Sequence, residues 1–391
     1  ILERLKKIDG RAPVSIMTCS IDPKNEQLQT WLAEGVSIEC HTIDHPCPCL
    51  QGGDFSKAKT TYDRCVDLMN SIPGNRPVAF RFPCMDSLNT PSPRGYSEII
   101  NQSTPMGHHL QISTSVTCLF TKEDPEIATL FDSKQGEEKS SANASRFQRY
   151  IPFPSFVNRV DNYPYPFVVG RKCWEFPCTI PDDWQGQNIQ RPNNPKTVVD
   201  LKAALDATIL KKGVANIVFH PHGWIRAEQV VDVIDYIDQK YGKRVKFLAF
   251  DECIEKINRH LLQDNPIRSP NEGRGNGVRI LDLNQDGYMD VFIGNKKTKM
   301  TRIWNPKTQS WQSANHPFLA DSIRFGSWES ESYIVNQTSP GKFRFWKLDN
   351  KQAKWNAVSP DCQLPTQVSI DAVRLRDLNG DGKFEVIVAD P

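Results

Sequence analysis

Five short apolar runs, separated by stretches with helical periodicity, constrain the first two-thirds of this chain more than any other feature. The runs are "VSIMTCS" (14–20), "GVSIEC" (35–40), "VAFRFP" (78–83), "VANIVFH" (214–220) and "VKFLAF" (245–250). Most are nearly continuous rather than alternating, the pattern of strands covered on both faces. Between them lie "SKAKTTYDRCVDLMNSI" from Ser56 and "AEQVVDVIDYIDQKYG" ending at Gly242. A third helix, "TVVDLKAALDATILKKG", has Thr197 as its cap, Asp200 three residues on and Gly213 as its stop. Strands alternating with helices predict a parallel sheet with covering helices, an α/β barrel or a doubly wound fold. Residues 86–195 break the pattern. They are rich in Pro, Ser, Asn and aromatics, and read as long loops inserted at one end of the sheet, where binding residues gather.

"ILERLKKIDG" at the start reads as the last turns of an amphipathic helix ending at Gly10, and "FEVIVADP" stops directly after a strand. The chain therefore reads as a fragment cut at both ends, with the first strand of its α/β domain missing. "QDNPIRSPNEGRGNG" (263–277) is a linker by composition. Past it the periodicity shortens. "VRILDLNQDGYMDVFIGN" (278–295) and "VRLRDLNGDGKFEVIVAD" (373–390) are copies of one motif, their first aspartates, Asp282 and Asp377, 95 positions apart. "IRFGSWESESYIVNQ" (323–337) fits the same frame halfway between, without the aspartates. Half of that interval is the length of a propeller blade. The expected division is an α/β domain over 1–262, the linker, and all-β blades of a partial propeller over 278–391.

Composition narrows the function classes. With 38% hydrophobic and 24% charged residues the chain is of ordinary globular type. Lys plus Arg number 48 against 46 for Asp plus Glu, a net charge of +2, so nothing favours nucleic acid or an acidic membrane surface. No apolar stretch is long enough to span a bilayer. Eleven cysteines, with Cys47 close to Cys49 and Cys173 close to Cys178, suggest disulfides and an oxidising location: secreted, periplasmic or cell-surface. Asn101, Asn143 and Asn336 open formal glycosylation triplets, which also arise by chance.

In the tail motif, oxygen-bearing side chains recur at alternate positions of a tight loop: Asp282, Asn284, Asp286 and Asp290 in one copy, Asp377, Asn379, Asp381 and Glu385 in the other. Gly287 and Gly382 permit the turn. Such a donor set suits a hard cation, and Ca²⁺ is the expected ion; the competing reading is a pair of Asx turns without one. With strands on both sides, the motif resembles the FG-GAP/VCBS repeats of β-propellers, whose DxNxDGxxD loops bind calcium.

"HTIDHP" places His41 and His45 four residues apart. Pro46 disfavours a helix there, so the pair lies where a strand exits into a loop. Arg81 and Pro83 end the next apolar run in "FRFPC", and His220 and His222 end a later one in "IVFHPHG", with Asp182, Asp183 and Trp184 ahead of it in "PDDW". Polar residues collected at the carboxyl ends of parallel strands are where α/β folds place their chemistry. His108 and His109, in the loop-rich segment, have no evident partner and read as solvated.

In that order the set resembles the polysaccharide deacetylase family, the NodB-homology domain of carbohydrate esterase family four, over residues 1–262. "HTIDH" is similar to its H-[ST]-x-x-H motif, "RFP" to its Arg-x-Pro, "DDW" more loosely to its acid before Trp, and "IVFH" to its strand ending in His. The resemblance implies a (β/α) barrel-like hydrolase that removes N-acetyl groups from a carbohydrate. His41 and His45 would hold a divalent metal such as Zn²⁺, and His220 would be the general acid. Arg81 would orient the base, with Asp183 also in the catalytic set. Pro83, Trp184, His222 and Trp224 would line the substrate site. The family's T-F-D-D motif, which supplies the third ligand and the base, is absent from these residues; Asp22 and Asp44 stand in the wrong context to replace it. It is expected upstream of Ile1. Two alternatives remain open: an inactive deacetylase-like domain in a calcium-dependent extracellular binding protein, with a glycan or surface protein as partner of the propeller, and a deacylase of a non-sugar amide.

Overall fold

A computed structural model describes residues 1–50, 53–86, 92–132, 146–151, 156, 158–339, 341–359 and 368–389. The chain falls into two compact units, Ile1–Glu255 and Lys256–Pro391.

In the first unit, α1 (Leu2–Asp9) ends at Gly10, whose positive φ of 74° is the left-handed cap that glycine takes without a Cβ penalty. The chain then alternates β1 (Ser15–Thr18), α2 (Glu26–Ala33), β2 (Ser37–Cys40), α3 (Phe55–Asn70) and β3 (Ala79–Phe80). Pairing of β1 with β2 and of β2 with β3 is parallel. All four residues of β2 are buried, as a strand covered on both faces requires. The Asp54 side chain caps α3 by accepting the Lys57 N–H at 2.9 Å. Ala58, Thr61, Tyr62, Cys65, Val66 and Met69 recur on its inner face, and the apolar members join Ile38, Cys40, Phe80 and Phe82 in one core cluster. Each fully buried large apolar side chain there contributes about 1.5–3 kcal/mol.

Residues 86–195 hold more than loops. A short α4 (Pro93–Gly95) precedes β4 (Ile112–Ser113) and β5 (Thr117–Leu119); after α5 (Pro125–Asp132) come β6 (Arg159–Asp161), β7 (Phe167–Val169), β8 (Cys173–Glu175) and β9 (Cys178–Thr179). They complete a six-stranded sheet in the order β1-β2-β3-β4-β8-β7, parallel except for β7, and a parallel three-stranded sheet, β6-β5-β9. Between Ser113 and Thr117 the chain passes from one sheet to the other. Buried Glu175 accepts the N–H groups of Ser115 (2.7 Å) and Val116 (3.0 Å), so the interrupted backbone keeps its partners. Tyr96 donates to the same carboxylate, and burial pushes its pKa up.

The remaining helices are α6 (Asp183–Gln190), α7 (Pro195–Leu210), α8 (Ala227–Tyr241) and α9 (Phe250–Lys256). The cap of α7 is Asn194, which accepts the Lys196 N–H, with Pro195 in the first turn; expected cap Thr197 is buried inside the helix. Of the runs at 214–220 and 245–250, neither forms a ladder. The first contributes one parallel bridge, Asn216 to Cys178, and the second runs straight into α9. No sheet closes into a barrel among the described residues; the first unit is mixed α/β.

The second unit is antiparallel. One four-stranded sheet is β10 (Val278–Leu281), β11 (Asp290–Gly294), β12 (Lys299–Asn305) and β13 (Ser310–Asn315). The next is β14 (Ile323–Trp328), β15 (Glu331–Ser339), β16 (Lys342–Asp349) and β17 (Lys354–Val358), and a hairpin follows, β18 (Val373–Arg376) with β19 (Glu385–Val388). Phe292, Phe318, Ile334, Leu348 and Trp355 form the core between the first two sheets, and the Trp355 indole N–H donates to Thr301 at 2.8 Å across it. Gly326 lets the second sheet approach the hairpin: a Cβ there would stand 2.6 Å from that of Leu375. The segment 263–277, expected as a linker, lies inside this unit with Ile267 and Arg268 buried.

Candidate functional site

The site begins at the carboxyl end of β2. His41 continues the strand by one bond, its N–H donating to Thr18 O at 3.1 Å. Thr42 then turns the chain at a φ of 64°, and its buried Oγ1 accepts the His45 N–H at 3.2 Å. This local bond stands in for a helical turn. It folds His45 back over His41, with ring centroids 4.8 Å apart. Thr61 of α3 anchors the loop from below, accepting the Ile43 N–H at 3.2 Å and donating to Asp44.

His41 Nδ1 donates to the Arg81 carbonyl at 2.9 Å, which leaves Nε2 with its lone pair. Burial holds the imidazole neutral, pushing its pKa down to about 3, and the charges of His45, Arg81 and His220 act in the same direction. A neutral ring with a backbone-fixed tautomer is the form a metal ligand takes.

Arg81 lies one residue past β3 and is only 9% exposed. Its Nε donates to Thr114 O at 2.9 Å; Nη2 donates to Thr114 Oγ1 at 3.0 Å and faces Cys178 Sγ at 3.3 Å. Asn216 in turn donates to Thr114 Oγ1. Among the described residues no carboxylate lies within ion-pair distance of this guanidinium. Pro83 is buried in the turn that follows.

On the other side stand Asp183 and His220. Asp183, in the first turn of α6, is 3% exposed. Its Oδ2 accepts the His220 backbone N–H at 2.7 Å and its Oδ1 the His220 Nδ1–H at 2.8 Å. Both contacts fix one rotamer and one tautomer, and leave Nε2 able to exchange a proton. Asp182 caps α6 by accepting the Gln185 N–H at 2.6 Å; burial pushes its carboxyl up to about 6, while the charges of His220 and Arg81 oppose the shift. Around His220, Trp224 and His222 pack with ring centroids 5.0 and 5.9 Å away. His222 is exposed, Trp224 half-buried, and Trp184 40% exposed. The charges of His45, Arg81 and His220 act on His41, and those of His220 and Arg81 on Asp182.

One bond that sequence reasoning missed ties the loops after β2 and β3 together. Cys47, just after His45, is disulfide-bonded to Cys84, just after Pro83. The expected short-range partners are therefore not used: Cys47 does not pair with Cys49, and Cys178 keeps its thiol beside Arg81. His108 also differs from expectation. Its Nδ1 contacts Asp67 at 2.7 Å instead of facing solvent alone. Asn101 is 4% exposed and Asn336 donates to Ser322 O at 3.0 Å, so neither is presented for glycosylation; Asn143 lies outside the described residues.

No group of three or more His, Cys, Asp or Glu side chains converges on a metal-sized point among the described residues. In the tail the two acidic loops are built alike, differing in one of the amides that the first aspartate accepts. Asp282 accepts the N–H of Asp286 (3.1 Å) and Gly287 (2.9 Å), and Asp377 those of Gly380 (2.7 Å) and Gly382 (2.8 Å). Asn284 donates to Asp286 at 2.9 Å, Asn379 to Asp381 at 3.3 Å. Asp290 is fully buried and accepts from Leu283 (2.9 Å) and Trp304 (2.8 Å); Glu385 accepts from Leu378 (2.8 Å). These are Asx-type turns held by backbone amides, with oxygen donors of the kind Ca²⁺ takes. Among the described residues no helix is long and apolar enough to cross a membrane.

Comparison with protein-family models, with curated proteins and with solved structures returns no match.

Proposed function

We propose that the first unit belongs to a metal-dependent hydrolase of the polysaccharide deacetylase type, removing N-acetyl groups from a carbohydrate. The observation that supports this reading is the pair of fixed histidines: His41, its Nδ1 bound to the Arg81 carbonyl and its Nε2 left open, and His220, its Nδ1 held by Asp183.

His41 and His45 would hold the divalent ion, Zn²⁺ or similar, through imidazole nitrogens. Bound there, such an ion polarises an acyl carbonyl and acidifies water. The chain's own residues do the rest. Asp183 holds His220 with Nδ1–H committed, so Nε2, once it has taken up a proton, is the atom that passes it to the leaving nitrogen. His222, Trp184 and Trp224 offer ring faces on which a sugar stacks. Arg81, locked by Thr114, presents its free edge to a carboxylate. The reading assigns that carboxylate, and the third metal ligand, to a T-F-D-D motif not found in these 391 residues. The barrel, the propeller, the Ca²⁺ of its loops and an exported location belong to the same reading; the Cys47–Cys84 disulfide supports the last.

A second reading is favoured by the lack of a third ligand among the described residues: a catalytically silent domain in a binding protein whose antiparallel unit engages a glycan or a surface protein. The test separates the two. A protein extended to include the motif should bind Zn²⁺ and release acetate from N-acetylated glycans. His41→Ala should remove the metal, and His220→Ala should keep the metal but lose turnover by ~10²–10⁴-fold. Metal without acetate release would point to a non-sugar amide. No metal at all would leave the binding reading.

A further inference from the structure

The repeats of the second unit meet around an open cavity of about 320 Å³ that none of the chemistry above uses. Asp282, Ser327 and Asp377 line it, each four residues past the first residue of its strand, β10, β14 or β18, so the repeat itself builds the mouth. One wall is aromatic. Phe325 is held against Phe292 with ring centroids 5.1 Å apart, and Phe384 against Trp328 and Tyr333 at 5.6 Å each. The polar groups are also preset. Both oxygens of Asp282 and both of Asp377 accept backbone N–H groups, which fixes the carboxylates and leaves each with lone pairs for a further donor. Arg376, exposed at the mouth, uses one nitrogen on the Leu375 carbonyl at 2.9 Å. Ser332 lies deeper. It lines the cavity at only 6% exposure, and among the described residues its hydroxyl has no hydrogen-bond partner. A buried hydroxyl is costly to leave unpaired, so a partner reaching it from the cavity gains that free energy.

The lining selects the ligand. A lone cation needs neither this volume nor an aromatic wall. A wholly apolar ligand would strand two carboxylates and a guanidinium without water. A ring with an apolar face and hydroxyls on its edge satisfies both parts. Its hydroxyls donate to Asp282 and Asp377 and accept from Arg376 and Ser332, while its C–H face lies on the phenyl rings. The volume is near the lower end of the roughly 300–1,000 Å³ typical of ligand sites, which suits a single ring. We propose that this cavity is a sugar-binding site that takes one neutral sugar residue of a glycan. The inference rests on the binding role given above to the antiparallel unit, and holds whether or not the first unit is a hydrolase.

The test is saturation-transfer NMR on the 391-residue chain with the methyl glycosides of glucose, galactose, mannose and N-acetylglucosamine, in chelator and again in millimolar Ca²⁺. At least one glycoside should receive transfer, strongest at its ring C–H protons. Arg376→Ala, at an exposed position, should weaken that glycoside by ~10-fold or more in a titration. Ser327→Trp, which fills the mouth, should abolish the transfer; a melt of the second unit shows whether this variant folds, and Arg376→Ala decides the matter if it does not. Transfer that survives both variants would place the sugar elsewhere on the chain, overturning this site while leaving the glycan reading in force. No transfer from any of the four glycosides to the wild-type chain would overturn the proposal and leave a surface protein as the partner in the binding reading.

Discussion

Replacing both Cys47 and Cys84 with serine tests how the two sides of the candidate metal end are held together. The bond closes a loop with a sequence separation of 37. In the chain-entropy account, closing a loop of this size removes ~13 cal/mol/K from the unfolded ensemble, or about 4 kcal/mol at 25 °C. The loss in the variant should be of that order, because both cysteines stand in turns with positive-φ neighbours or members, His45 at 51° and Cys84 at 53°, which gain freedom when untied. Urea unfolding of the double variant, followed by tryptophan fluorescence, gives the change in midpoint for the first unit. With a slope of ~2 kcal/mol/M, the midpoint should fall by about 2 M. A second readout follows from position. The bond links the residue two past His45 to the residue one past Pro83, so if His41 and His45 take the proposed Zn²⁺, its affinity should fall along with stability. A midpoint shift under about 0.3 M would refute the reasoning, since the loop would then be closed as firmly by packing alone.

Three further outcomes follow. Burial between Phe292 and Phe318 pushes the His316 imidazole down to about 4, below its usual value near 6.5, so the folded second unit binds fewer protons than the unfolded chain over that range and loses stability as pH falls from 6.5 to 4. His316→Gln should flatten this part of the profile in melts at pH 4.5 and 7.5, and an unchanged slope counts against it. Asp290, pushed up to about 6 by burial, acts oppositely: its contribution is present below pH 4 and lost as pH rises to 6, so Asp290→Asn should lower stability overall while removing that decline. Millimolar Ca²⁺ should raise the melting transition of the second unit if the acidic loops take the ion, and Asp282→Asn with Asp377→Asn should abolish the rise; calorimetry with and without chelator decides it.

What was legible in the sequence had one physical property in common: an apolar face long enough to impose a period. The helices α1, α3, α7 and α8, the strands β1 and β2, and the antiparallel sheets of the tail all bury such faces. The strands between Ile112 and Thr179 are only two or three residues each and leave no period to detect, so the segment passed for loops. The link between β4 and β5 depends on the distant polar group Glu175, and the start of β3 on Glu39. Glu39, its carboxyl pushed up to about 7 by burial, accepts the N–H of Val78 and Ala79 at the start of β3. A buried glutamate in an apolar run carries no local sign that it will bond backbone from another strand. The runs at 214–220 and 245–250 failed in the opposite way. They are apolar enough for strands, yet they lie against helices α7 and α8 through Ile217, Val245 and Phe247 instead of forming ladders.

The site was legible where its geometry is local and hidden where it is not. "HTIDHP" carries its own turn: Thr42 supplies the acceptor, and Pro46 keeps the second histidine out of a helix. By contrast the clamp on Arg81 comes from Thr114, Cys178 and Asn216, on three different segments. That clamp also defines what the two functional readings demand. A buried guanidinium without a counter-charge is costly, because burial removes water that the protein must replace with an opposite charge. Asp183 is committed to His220, and Asp182 to capping α6. Two imidazoles are likewise one ligand short for a divalent cation. Two carboxylates, as the T-F-D-D motif would supply, would answer both deficits, one beside Arg81 and one joining His41 and His45. The hydrolase reading calls for both; the binding reading calls for neither. Arg81→Met in a protein that carries such a motif therefore separates the two readings. In a hydrolase the variant should keep the metal and lose turnover, because the base that Arg81 orients is released. In a silent domain there is no turnover to lose, and the weak two-imidazole Zn²⁺ affinity should stay unchanged or rise, since one repelling cation is gone.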